Sequence, residues 1–176
     1  MFLAEGFEEV EALCPLDIMR RAGLSVTTVG IGKKAVTGSH NITVSSDITE
    51  EEFNSADAEM IFLPGGMPGT LGLANSPTVR EAINNALRKD IYISAICAAP
   101  SILGDMGLLQ GKEATCYPGF EDRLTGATLS DKRVIRDGKI ITAAGMGVAL
   151  DLGLEIVALF CGKEKATALQ KAVIYD

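Results

Sequence analysis

The chain has 176 residues, 47% of them hydrophobic, and a net charge of −7. That length suits one domain with a sizeable core, expected over residues 1–176, and the apolar content excludes a disordered chain. The negative charge argues against a nucleic-acid surface, and no apolar run approaches the ~18 residues of a membrane span.

The start shows no basic segment followed by a long apolar one, so no secretory signal is expected. Cys14, Cys97, Cys116 and Cys161 are scattered, with no CxxC pair and no zinc spacing. This pattern predicts free thiols in a reducing, cytoplasmic compartment and no bound metal.

Met1-Phe2-Leu3-Ala4 reads as the tail of a first strand, and Glu5-Gly6-Phe7 as a loop. Glu8 and Glu9 open a helix that Arg20-Arg21-Ala22-Gly23 closes, with acids at the start, bases at the end and glycine as the stop. Residues 24–29 predict a second strand and residues 36–44 a hairpin whose polar turn holds His40. Residues 59–63 form a buried strand running into Pro64-Gly65-Gly66-Met67-Pro68-Gly69. Ser76 caps a helix over 77–88 with Pro77 at its first position. A strand follows over 91–96, then a helix ending near Gly107. Short strands are expected over 113–117, 133–136 and 139–143, then the turn Ala144-Gly145-Met146-Gly147. Helices over 148–160 and 164–172 complete the chain, the last one docked. Strands alternating with helices predict a doubly wound α/β domain, a parallel sheet with helices on both faces. The site then lies at the carboxyl ends of the strands, where residues 5–11, residues 63–69 and Cys97 converge, with the 145–147 turn as a fourth candidate.

The stretch Ile91-Tyr92-Ile93-Ser94-Ala95-Ile96-Cys97-Ala98-Ala99-Pro100-Ser101 carries the chemistry. A β-branched strand passes within one residue into a helix, small residues flank the junction, and Pro100 fits the first helical turn. This is the layout of a nucleophile elbow, with cysteine in place of serine. A thiol at a helix N-terminus faces unpaired N–H groups, so the Cys97 pKa is expected below the free value of about 8.5. The competing reading is one more buried, inert cysteine.

Glu11 shares a helical stripe with Cys14 and Ile18. Spacing alone leaves it open between a solvated acid, like Glu8 and Glu9, and a buried carboxyl whose raised pKa suits proton transfer. Gly65-Gly66 is a tight turn on its own evidence; its functional reading is an oxyanion hole with the Gly66 and Ala98 N–H groups as donors. It is neither a dinucleotide fingerprint nor a Walker loop. His40 is the single histidine. None stands after the cysteine or late in the chain, which argues against a Cys-His hydrolase triad.

Leu3-Ala4-Glu5-Gly6-Phe7-Glu8-Glu9-Val10-Glu11, Asp17-Ile18-Met19-Arg20-Arg21-Ala22-Gly23, Leu63-Pro64-Gly65-Gly66 and Ala95-Ile96-Cys97-Ala98-Ala99-Pro100 resemble the ThiJ/PfpI superfamily, best its DJ-one-like deglycase branch. The resemblance covers nearly the whole chain. It implies a flavodoxin-like fold, a homodimer and no cofactor. It also implies that Cys97 is the reactive thiol, that Glu11 is its protonated hydrogen-bond partner, and that backbone at Gly65, Gly66 and Ala98 faces the bound group. Many relatives carry a histidine where Cys116-Tyr117-Pro118 places Tyr117, so Tyr117 stands at the substrate as a hydrogen-bond donor but a poor base. The implied activity is cofactor-free glyoxalase or deglycase chemistry on a small 2-oxoaldehyde such as methylglyoxal, or on early glycation adducts. The alternative is a non-enzymatic sensor of oxidative stress, or a chaperone, using an oxidisable Cys97.

Overall fold

Alternation along the buried strands sends neighbouring side chains to opposite faces, and each face is covered by helices. The computed structural model describes residues 1–175, one short of the span expected for the domain. Its strands are β1 (Phe2–Leu3), β2 (Val29–Gly30), β3 (Ala35–Thr37), β4 (Thr43–Ser45), β5 (Ile48–Thr49), β6 (Met60–Leu63), β7 (Tyr92–Ile96), β8 (Glu113–Ala114), β9 (Thr128–Leu129), β10 (Val134–Asp137) and β11 (Ile140–Ala143). The helices are α1 (Glu9–Arg21), α2 (Gly69–Asn75), α3 (Pro77–Arg88), α4 (Pro100–Asp105), α5 (Ala149–Cys161) and α6 (Lys163–Ala172).

Strands pair in the orders β1-β2-β5 and β10-β11-β7-β6, and β1 runs beside β6, so the central layer is continuous. Within this layer the pairings are parallel except at the edge, where β10 runs antiparallel to β11. Phe2, Ile61, Leu63, Ile93 and Ala95 point to one side, where α3 covers them with Val79, Ala82, Ile83 and Ala86. Leu3, Phe62, Ile96 and Ile141 point to the other, under α1 and α5. Each large apolar side chain so enclosed stabilises the fold by about 1.5–3 kcal/mol. This is the expected doubly wound, flavodoxin-like architecture. The final helix docks as expected, with Ala166 buried against Ile18, Leu154 and Val157.

Several boundaries differ from the sequence reading. Residues 24–28 were expected to extend β2, but its ladder with β1 holds only the pairs Phe2–Val29 and Leu3–Gly30. The Val26 carbonyl accepts from the Arg20 guanidinium and the Thr27 carbonyl from the Met1 amine instead. The strand expected over 113–117 stops at Ala114. Beyond it the Thr115 N–H turns to the Thr142 hydroxyl at 3.0 Å, and the Tyr117 N–H to the Cys97 carbonyl at 2.9 Å. The chain therefore leaves the sheet to reach the site. The short elements α2, β5 and β9 have no sequence counterpart. Among the described residues, no helix is long and apolar enough to cross a membrane.

Candidate active site

The site forms where β1, β6, β7 and β11 end. Cys97 follows β7 directly with φ +65°, a left-handed conformation that a non-glycine residue rarely holds. Two backbone bonds fix it there. Its N–H donates to the Ala143 carbonyl at 2.9 Å, and its carbonyl accepts from the Tyr117 N–H at 2.9 Å. Ala95, Ala98 and Ala99 are buried around it, as the sharp turn requires.

Glu11 lies on the first turn of α1, whose N-cap Glu8 accepts the Glu11 N–H at 2.7 Å. Its side chain is 1% exposed, which decides the question that spacing left open. The Gly65 N–H donates to Glu11 Oε2 at 3.1 Å, and the Gly65 carbonyl accepts from the Glu8 N–H at 2.9 Å. The turn after β6 is thus stitched to the start of α1. A Cβ at Gly65 would fall on the Glu11 carboxyl and lie 2.7 Å from Cys97 Cβ. Gly66, at φ +91°, packs against the backbone of residues 6–8, where a side chain would collide.

The electrostatics follow from burial. It pushes the Glu11 carboxyl up to about 7; the Cys97 hydrogen bond opposes this, the negative charge of Glu8 adds to it, and the Gly65 and Met146 N–H groups oppose it. The Cys97 thiol is pushed up to about 12, by burial first and then by the charge and hydrogen bond of Glu11, against the pull of the Ala98 and Gly66 N–H groups. The sequence expectation of a lowered thiol pKa is therefore corrected. The helix beyond the thiol, α4, has six residues and an N-cap at Ala99, two positions past the sulfur. Its dipole is too short and too far to outweigh desolvation and a neighbouring carboxylate. Between about 7 and about 12 the pair holds one proton. A carboxylate that can take a thiol proton thus stands next to a sulfur at which two backbone N–H groups point.

Tyr117 is brought to the same place. A Cβ at Gly145 would lie 3.2 Å from Tyr117 Cδ2 and 3.8 Å from Glu11 Oε1, so ring and carboxyl flank one small space. Sequence reasoning missed two contributors, the Met146 N–H that faces Glu11 and the Glu8 charge that raises it. The only sequence signal for the first was the 145–147 turn. Cys116 is buried among Leu109, Ala114 and Leu124, as a structural cysteine.

Glu8, Glu9 and His40 bring one ligand atom each within 4.8 Å. Glu9 accepts the His40 N–H at 2.8 Å and approaches His40 Nδ1 at 3.0 Å, and Glu8 caps α1, so these oxygens already hold the β3–β4 turn and the helix. His40 is a turn residue, as its sequence context indicates. A groove of about 560 Å³ against Met1, Met60 and Phe160 opens at the amino ends of the strands, remote from Cys97.

Known proteins resemble this chain over nearly its whole length. A Danio rerio protein named Parkinson disease protein 7 homolog is 34% identical over 179 residues, covering 99% of this chain and 95% of its own. A Caenorhabditis elegans protein named glutathione-independent glyoxalase DJR-1.2 is 30% identical over 169 residues, covering 95% of this chain and 90% of its own. The crystal structure of Drosophila melanogaster DJ-1beta matches with a TM-score of 0.94 at 32% identity, covering 99% of this chain and 96% of that one. Residues 1–159 fit the family model described as DJ-1/PfpI, so that the elbow cysteine, the stitched glycine turn and the buried glutamate all lie within the matched region, and the chain belongs to the DJ-1/PfpI family.

Proposed function

We propose that the protein is a cofactor-free, cysteine-dependent enzyme that converts small 2-oxoaldehydes such as methylglyoxal into 2-hydroxy acids, or that acts on the early glycation adducts of such aldehydes. The observation that carries this reading is the Cys97–Glu11 pair, a thiol held in a left-handed turn beside a buried carboxyl that titrates near 7. The Caenorhabditis elegans relative named as a glutathione-independent glyoxalase supports it.

The reaction is written from these groups. Glu11 takes the thiol proton as the Cys97 sulfur attacks the aldehyde carbon, giving a hemithioacetal. The new oxyanion meets the Gly66 and Ala98 N–H groups. Glu11 returns that proton to the oxygen and, as a carboxylate again, takes the proton from the former aldehyde carbon and delivers it to the neighbouring one through an enediol, while the proton on the first oxygen passes to the second. The first carbon is oxidised and the second reduced within the substrate, leaving a thioester. Water cleaves the thioester, releasing the hydroxy acid and the free thiol. A sensor role needs a standing thiolate, which burial opposes, whereas this reaction needs one only as the bond forms.

We also infer a cytoplasmic homodimer. Val10 on α1 is 43% exposed and Ile42, beside Glu9 in the hairpin, is 54% exposed, which supports a second copy covering this face. For the enzyme reading, Cys97→Ser is expected to lower lactate formation from methylglyoxal, without glutathione, by at least about a thousandfold while circular dichroism stays unchanged. Retained turnover in that variant would sink the mechanism.

A further inference from the structure

We propose that Tyr117 and Met146 form an apolar wall beside Cys97 that selects 2-oxoaldehydes carrying a neutral apolar substituent, aromatic ones above all, over unsubstituted glyoxal. The inference rests on the enzyme reading above and names the substrate class of the same site.

Three observations carry it. The first is that Tyr117 is held in place but not covered. Its N–H donates to the Cys97 carbonyl at 2.9 Å and its carbonyl accepts from the Phe120 N–H at 3.1 Å, yet the residue is 51% exposed. With its backbone fixed and its ring open to solvent, Tyr117 offers an aromatic surface on which a ligand can pack.

The second is that the ring is aimed at the reacting groups. A Cβ at Gly145 would sit 3.2 Å from the ring and 3.8 Å from Glu11 Oε1, so ring and carboxyl border the same space. Met146 follows directly. Its N–H faces Glu11, and the residue is 53% exposed. An open tyrosine ring thus borders the space beside Glu11, with the exposed Met146 following that turn in the chain.

The third is charge. The Glu8 charge reaches Glu11 and raises its pKa. Arg133, the cation at this turn, donates to the Gly147 carbonyl at 2.8 Å. With net charge −7 behind them, these carboxylates repel an anionic substituent and leave the wall to a neutral apolar one. The acid product carries a charge that the substrate lacks, so the same field favours its release.

The test compares kcat/KM for phenylglyoxal and glyoxal in the wild type, Tyr117→Phe and Tyr117→Ala. Aromatic contacts of this kind predict that Tyr117→Ala lowers the phenylglyoxal-to-glyoxal ratio about three- to tenfold while Tyr117→Phe keeps it. An unchanged ratio in Tyr117→Ala overturns the wall, and an equal loss in Tyr117→Phe assigns selection to the hydroxyl and overturns it too. A second readout does not need turnover: the rates of Cys97 alkylation by N-phenylmaleimide and N-methylmaleimide, which share one reactive group. If neither aldehyde is turned over but the maleimide preference falls with Tyr117→Ala alone, the wall stands and the enzyme reading fails. If the maleimide preference ignores Tyr117, the wall fails whatever the turnover.

Discussion

Replacing Glu11 by glutamine should make the protein more stable, and only above a defined pH. In the fold, burial raises the Glu11 carboxyl from its ordinary 4.5 to about 7. Because the folded value lies above the unfolded one, the unfolded chain gives up its proton first as pH rises. Below about 4.5 both states are protonated and Glu11 adds no pH dependence; between 4.5 and about 7 stability is lost, and above about 7 the loss is complete. At about 1.4 kcal/mol per tenfold in proton affinity, the loss comes to about 3 kcal/mol. Glutamine mimics the neutral acid, and its amide oxygen can still accept the Gly65 N–H. Glu11→Gln is therefore expected to match the wild type near pH 4 and to exceed it by about 3 kcal/mol near pH 8, roughly 6–12 °C in Tm for a chain of this size.

The assay is urea unfolding of both proteins at pH 4 to 8, at one fixed protein concentration because oligomerisation shifts the midpoint. Taking the difference between the proteins removes the contributions of groups such as Glu9 and Asp47, whose pKa values are lowered. The same variant loses the carboxylate beside the sulfur, so the midpoint of Cys97 alkylation is expected to fall from about 12. A stability difference that is constant across the pH range, or that has the opposite sign at pH 8, would refute the reasoning, because Glu11 would then not be a buried acid whose ionisation the fold penalises.

Two further substitutions probe the parts that hold the pair. Gly65→Ala places a methyl on the Glu11 carboxyl, 2.7 Å from Cys97 Cβ and 2.9 Å from the Ile96 carbonyl, and overpacking of this kind is expected to cost about 1–3 kcal/mol with loss of turnover; a variant with unchanged Tm and unchanged turnover would show that the turn is not tight. In Glu9, burial raises the carboxyl pKa, but hydrogen bonds from His40 and Ile42 outweigh it and hold the carboxyl below its ordinary 4.5. Its contribution is present above 4.5 and is lost as pH falls through the depressed folded value, so Glu9→Gln is expected to destabilise by about 1–3 kcal/mol at pH 7 and by less at pH 3, read by urea unfolding at the two pH values.

What could be read from the sequence was what short-range chemistry decides. Ser76 and Pro77 mark the start of α3, and its Val79 N–H does bond the Ser76 hydroxyl at 3.3 Å. The small residues around Cys97 and the proline three positions later announce a turn too sharp for larger ones, and the left-handed Cys97 is that turn. What could not be read depends on partners distant in the chain. Glu11 is buried because Gly65, 54 positions away, closes over it. The strands β5 and β9 have two residues each and exist only through their neighbours in the sheet. The helix α2 contains Gly69 and Gly72, whose propensity points away from a helix, but the first packs against the backbone of Gly6 and Phe7 and the second against Ala4. Tertiary packing overrides local preference there.

The thiol pKa was misjudged for a reason that bears on mechanism. A helix N-terminus favours thiolate, and the sequence shows the helix; it does not show that the sulfur is half-buried beside a carboxyl. Burial disfavours charge on either group, so thiol and carboxyl are pushed up together and share one proton. In such a pair a resting thiolate is not what activates the nucleophile. In the reaction proposed above, the thiol proton goes to Glu11 as the sulfur attacks a carbonyl, and the negative charge passes from the pair to the substrate oxygen. The Gly66 and Ala98 N–H groups, which lower the thiol pKa in the resting protein, would then receive that oxygen. On that proposal, the environment that opposes a free thiolate favours the state in which the charge has moved onto the substrate, and the cysteine stays protonated until a carbonyl is there to receive it.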